Sequence, residues 1–341
     1  MVLLKRAALT LFMFSIAVDG FGQFSDPLKI EGRTMGTTYS ILYFDNSARD
    51  FTASIDSLLI SVNDGISNYQ PTSDVSLFNK SADGGTNSSI HFRTALEKSL
   101  AVACESGGSF DPTVMPLVNI WGFGPEKSGA PSTFKIDSIK KFVGYTHVKI
   151  EGKRISKDDP NVQVDFGGIG QGYGVDVISD FLLSQGVRNF LVELGGEGFA
   201  SGRNLQRGEK WKVGIVNPLM PKDEQELMGY AVLEDEAFTT SGNYFNYRVI
   251  DGKKYGHTIS PVTGFPVDHE LISVSLFAPD CSTADAWDTA FFVGGKSKSL
   301  EFLKQHKSLG AVLVYLDNGT PRVFVSDNIK HKIFVNPHHD H

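Results

Sequence analysis

Apolar residues recur along this chain at two spacings, and the alternation between them outlines its elements. Ile55, Leu58, Leu59 and Val62 fall at helical spacing and predict a helix over 48–63. Ala95, Leu96, Leu100 and Ala103 predict a second over 94–104, and Val175, Ile178, Phe181 and Leu182 a third after a glycine-dense turn. Extended runs read as strands at 29–44, broken near Met35-Gly36-Thr37, at 162–165 and at 189–194, the last ending at Gly195-Gly196. Two hairpins are signalled, one where 243–250 and 253–259 flank Asp251-Gly252, the other where 311–316 and 322–326 flank Asn318-Gly319. The polar stretch up to Ser89, the Gly/Pro/Ser-rich segment 124–132 and the charged segment before residue 243 read as loops. Hairpin strands alongside helices argue for an α+β fold with mixed, largely antiparallel sheets, not a doubly wound parallel sheet.

The N-terminus changes this picture first. Lys5 and Arg6, an apolar stretch from Ala7 to Val18 and small residues around Gly20-Phe-Gly22 have the layout of a secretory signal peptide over residues 1–22. The apolar core is shorter than the ~20 residues of a comfortable membrane span, and no Cys follows it to carry a lipid. An uncleaved anchor at the inner membrane is the alternative. Residues 23–335 then form one domain, and the His-rich tail 336–341 reads as disordered. The formal net charge is −7, and without a basic face a nucleic-acid partner is not expected. Cys104 and Cys281 are too few for a disulfide framework, and a single bridge between them is left open.

Candidate chemistry concentrates in two runs. In Ser282-Thr-Ala-Asp-Ala-Trp-Asp-Thr-Ala290, read as the opening of a helix, Asp285 and Thr289 stack one turn apart and put two hard oxygen donors on one face. In Val164-Asp-Phe-Gly-Gly-Ile-Gly-Gln-Gly172, glycines run into a helix N-terminus, a place that holds phosphate. Hard oxygens beside a phosphate cradle suggest a divalent cation on a pyrophosphate, hence an enzyme acting on a dinucleotide. Gly167, Gly168, Gly170, Gly172 and Gly174 do not fit G-x-G-x-x-G in any register, which disfavours a Rossmann site. Asp285 has a second reading. With Ser282 as N-cap it would sit at N3, where an acidic side chain merely caps the helix. His257 enters a turn as a base near neutral pH or as a structural histidine. Tyr69 is a surface aromatic or a platform for a purine ring.

Taken in order, these segments resemble the ApbE family. The resemblance runs from Met35-Gly36-Thr37 through 67–79, Ser109-Phe-Asp-Pro-Thr113, Pro116-Leu117, Trp121-Gly122, 165–172, Leu194-Gly195-Gly196, Thr240-Ser-Gly-Asn243, 257–264 and 284–290. It implies an α+β, T-fold-related architecture that binds FAD with Mg2+. The implied reaction moves FMN onto a Ser or Thr hydroxyl of an exported or membrane-bound redox protein and releases AMP. By the same resemblance, Met35, Tyr69, Ser109, Phe110 and Asp111 would hold the adenosine half of FAD, and Asp165, Gln171 and Ile259 the rest. The metal would take the Gly168 carbonyl and the side chains of Asp285 and Thr289, with Asp288 close. His257 would take the acceptor's proton. Many relatives carry Ala and Lys where this chain has Gly170 and Gln171, so one positive charge is missing. Asp288 stands where a small residue is common, and would tighten the metal or pair with a nearby cation. Two other functions remain open: a pyrophosphatase splitting FAD to FMN and AMP, and a non-catalytic flavin-binding protein. Ser128-Gly-Ala-Pro131 lacks the Thr of a Ser/Thr-Gly-Ala-Thr acceptor motif and gives no case for self-modification.

Overall fold

The structure, a computed structural model, describes residues 26–85, 88–124, 130–221, 224–242, 247–250 and 252–335. The expected signal peptide, the tail from 336, and parts of the 124–132 loop and of the 243–259 hairpin lie outside the described residues.

An eight-stranded antiparallel sheet organises the chain, and its spatial order follows the order of its strands in sequence. These are β1 (Leu28–Thr34), β2 (Thr37–Phe44), β3 (Asn189–Leu194), β4 (Glu197–Ser201), β5 (Glu236–Gly242), β6 (Leu271–Ala278), β7 (Gly310–Asp317) and β8 (Thr320–Val325). Among the described residues seven α-helices accompany it: α1 (Thr52–Ile66), α2 (Asp74–Lys80), α3 (Ile90–Glu105), α4 (Met115–Ile120), α5 (Thr133–Lys140), α6 (Gly170–Ser184) and α7 (Cys281–Gln305). Every strand pairing among the described residues is antiparallel, so the α+β reading holds.

Period-two alternation explains how one sheet serves two cores. On β3, Phe190, Val192 and Leu194 are fully buried against α1, α3, α6 and α7, while Leu191 faces the other way. That opposite face is covered by a smaller antiparallel sheet in the order Ile333–Val335, Leu227–Leu233, Glu209–Val216, Arg203–Asn204. Trp211, Val213, Ile215 and Leu233 fill the space between the two sheets. A third, small cluster of Leu117, Trp121, Ile136 and Ile259 lies apart from both.

Three local expectations change. Residues 29–44 are a tight hairpin, not one broken strand. Met35 and Gly36 both take positive φ, 48° and 76°, the conformation a two-residue hairpin turn of matching twist requires. Residues 162–165 form no strand. Asn68 and Asn79 donate to the Val164 carbonyl, Asn79 accepts its N–H, and the Asp165 N–H goes to the Pro112 carbonyl, so side-chain amides replace a strand partner. The charged segment before 243 holds strands 209–216, 227–233 and β5. Trp211, Val213 and Ile215 mark the first of these at alternate positions.

Candidate active site

A cleft of about 530 Å3 opens where the β1–β2 turn, the glycine loop, the ends of β4 and β5, the loop 257–259 and α7 converge. Its wall includes Met35, Tyr69, Asp165, Gly168, Gln171, Glu197, Ser241, His257, Ile259, Asp285 and Thr289.

The contact of α6 with α7 sets its floor. A Cβ on Gly172 would lie 2.4 Å from the Cys281 carbonyl oxygen, so only glycine lets the two helices approach this closely. That approach lets the Gly172 N–H donate to Asp285 Oδ2 at 2.9 Å. The glycine loop comes equally near one turn further along α7, where a Cβ on Gly168 would sit 2.9 Å from Thr289 Oγ1. The backbone of Gly168, the Thr289 hydroxyl and the Asp285 carboxylate are therefore brought to one part of the cleft.

The helix start corrects the capping reading of Asp285. Asp280, not Ser282, is the N-cap of α7, and its side chain accepts the Thr283 N–H. Asp285 is then the fifth helical residue, beyond the reach of its own helix's free N–H groups. Its carboxylate caps the neighbouring helix instead.

Negative charge is crowded here. Burial pushes the Asp285 carboxyl up to about 7 against the opposing pull of the Gly172 N–H. Burial, then repulsion from Asp285, lifts Asp288 well above the usual carboxylate range. Glu197, 7% exposed, is lifted by burial and then by Asp285 and Asp288. Glu197 Oε2 and Asp288 Oδ2 have no hydrogen-bond partner among the described residues. Crowded buried carboxylates with orphaned oxygens are surroundings that suit a cation. No three His, Cys, Asp or Glu side chains among the described residues form a metal-binding group. A cation would accordingly rest on one carboxylate together with hydroxyl and carbonyl oxygens, a set suited to Mg2+.

Known proteins resemble this chain in sequence and fold. The ApbE family model matches residues 35–313. An FAD:protein FMN transferase of Vibrio cholerae serotype O1 is 34% identical over 302 residues, 86% of this chain and 90% of its own length. The chain belongs to the ApbE family. A solved flavin transferase ApbE from Vibrio cholerae superimposes with a TM-score of 0.81 at 32% identity, covering 90% of this chain and 99% of that one. The apo flavinyl transferase ApbE of Pseudomonas stutzeri gives 0.80 at 29% identity over 90% and 96% of the two chains.

Within this ApbE fold the expected site residues divide into two groups. Met35, Tyr69, Asp165, Gly168, Gln171, His257, Ile259, Asp285 and Thr289 meet at the cleft. Tyr69 is 72% exposed at its lip. Asp165 accepts the Gly167 N–H, and burial raises its carboxyl. The Gln171 amide lies over Gly195, where a Cβ would come within 2.6 Å of its nitrogen. Ser109, Phe110, Asp111 and Asp288 are not on the wall. Phe110 backs Gly168, with its ring 3.3 Å from where a Cβ would stand. Asp111 accepts from the N–H groups of Thr113 and Tyr145, and Ser109 accepts from Lys298, so these side chains brace the loop. Asp288 is 1% exposed and stands behind the wall, where it accepts the hydroxyl of the wall residue Ser241 at 2.8 Å. Glu197 is not marked by the sequence patterns, and Ser241 only as a member of the Thr240-Ser-Gly-Asn243 run, with no role attached. The Gly195-Gly196 turn before Glu197 was the available signal, since it ends β3 at the cleft. Cys104 and Cys281 are both free, one exposed and one buried.

Proposed function

We propose that this chain transfers the FMN portion of FAD to a Ser or Thr hydroxyl of an exported or membrane-bound redox protein, releasing AMP, with Mg2+ at the Gly168, Asp285 and Thr289 oxygens. The observation that carries this reading is the junction of α6 and α7, which gathers those oxygens in one cleft with His257. The relatives named FAD:protein FMN transferases support the substrate class. Among the described residues no helix is long and apolar enough to cross a membrane. The signal peptide over 1–22 places the enzyme in the periplasm in this reading.

Each residue has a task in the chemistry. The acceptor oxygen forms a bond to the FMN phosphorus while the pyrophosphate P–O bond to AMP breaks. When bound, the cation neutralises charge that grows on the departing phosphate. His257 takes the proton from the acceptor hydroxyl as that oxygen attacks. Gly168 and Gln171 hold the glycine-loop side of the pyrophosphate, and Tyr69 offers a ring face to adenine. Asp165 orders the loop through its bond to Gly167.

The test mixes purified protein with FAD, Mg2+ and a peptide carrying Ser/Thr-Gly-Ala-Thr. Flavin bound covalently to the peptide supports transfer. Free FMN with an unmodified peptide would make the chain a pyrophosphatase, and unchanged FAD a flavin-binding protein.

A further inference from the structure

Asp176 and Asp285 occupy equivalent places on two helices that cap each other. On α6, the N–H donor Gly172 is followed one turn later by Asp176. On α7, the N–H donor Cys281 is followed one turn later by Asp285. Each carboxylate crosses to the first turn of the other helix. Asp285 Oδ2 accepts the Gly172 N–H at 2.9 Å. Asp176 accepts the Cys281 N–H at 2.7 Å and the Ser282 N–H at 3.0 Å, and the Ser282 hydroxyl donates to it at 2.5 Å. With Asp280 taking the Thr283 N–H at 3.0 Å, the first three free N–H groups of α7 are all satisfied.

A cation completes the junction. Lys98, reaching over from α3, places its ammonium 3.4 Å from Asp176, 2.8 Å from Asp280 and 2.6 Å from Ser282 Oγ. Three helices are thereby tied together at the first turn of α7, one turn before Asp285. Hydrogen bonds to a charged acceptor are the stronger kind and fix direction as well as distance.

We propose that Asp176 is a positioning residue for the cation site: by fixing the first turn of α7 against α6, it sets where Asp285 stands relative to the glycine loop. This rests on the reading of Asp285 as a cation ligand. Without Asp176 the Cys281 and Ser282 N–H groups lose their acceptor, the first turn of α7 loosens, and the Asp285 carboxylate shifts with it. Groups that orient metal ligands typically change affinity on the order of 10–100-fold when removed.

The experiment titrates Mn2+ into the FAD complex without acceptor and follows free Mn2+ by electron paramagnetic resonance. Wild type, Asp285→Ala, Asp176→Ala and Asp176→Asn are compared at a temperature where melting curves show each folded. Asp176→Asn keeps one acceptor oxygen and serves if Asp176→Ala does not fold. Expected are one Mn2+ site in wild type, its loss in Asp285→Ala, and affinity weakened about tenfold or more in the folded Asp176 variants. FAD affinity measured without metal should change by less than about threefold. A lower melting temperature with unchanged Mn2+ affinity would make Asp176 a merely structural tie and overturn the proposal. No Mn2+ site in wild type, or one retained in Asp285→Ala, would overturn the cation reading and the proposal with it.

Discussion

The two walls of the cleft are built on different foundations. The wall bearing Gly168, Gln171, Asp285 and Thr289 belongs to the main core, where Ile169, Val175, Ala284, Ala286 and Ala290 are fully buried behind it. The opposite wall, with His257 and Ile259, rests on the small cluster of Leu117, Trp121, Ile136 and Ile259. Trp121 holds it by donating to the Gly264 carbonyl at 2.8 Å and packing against Tyr255 and Phe265. The difference separates two tasks. Under the proposed function, oxygens that would share an ion need spacing set by close-packed helices, whereas a base that would meet an incoming protein sits on a loop over a lesser core.

The sharpest break of that contrast is Asp285→Ala, expected to cut flavin transfer by more than about 10⁴-fold, since several kcal/mol of charge stabilisation is lost. FAD binding should weaken far less. Transfer within tenfold of wild type at saturating Mg2+ would show that this wall is not the cation wall. On the opposite wall, His257→Ala should slow transfer by roughly 10²–10⁴-fold with FAD affinity little changed. Equal losses of rate and affinity would instead make His257 a flavin contact.

Trp121→Ala tests the lesser core itself. It should lower hydrogen-exchange protection of amides 258–267 by about 3 kcal/mol while leaving α6 and α7 protected. Uniform loss across both walls would mean that they unfold as one unit. Tyr69→Ala should raise KM for FAD only about three- to tenfold, the value of a stacked ring, with kcat unchanged.

The smallest effect concerns pH. In the metal-free protein the Asp285 carboxyl stands near 7 against an ordinary 3.8. Between those values the folded state keeps a proton that the unfolded chain has released, so this group costs stability as pH rises through the window. A divalent cation replaces the proton. Mg2+ should therefore raise Tm by a few degrees more at pH 8 than at pH 5, measured by thermal melting. An equal rise at both would separate Asp285 from the cation.

How much of this was legible in the sequence differs from element to element. Helices with a clean apolar stripe, such as α3 with Ala95, Leu96 and Ala103, were visible because burial on one face forces the spacing. So was β3, matched residue for residue, and the β7–β8 hairpin with its Asn318-Gly319 turn. The segment 162–165 misled because its apolar residues are buried in an extended chain whose partners are Asn68 and Asn79, nearly a hundred positions away. At the site, residue types announced hard oxygens and a glycine cradle. They do not tell a wall residue from one behind it, which is why Asp288 reads as a neighbour of the metal and Asp111 as a contact to the adenosine half.

The sequence by itself determined the α+β class, the helical stacking of Asp285 on Thr289 and the glycine loop, because these depend on periodicity and on residues adjacent along the chain. Tertiary structure alone decided that Asp285 caps α6 and not its own helix, that Asp288 turns to Ser241, and that Glu197 joins the cleft. Each of these is fixed by contacts between segments some 50 to more than 100 residues apart. No local pattern encodes such a contact; it exists only once the sheet and helices have packed.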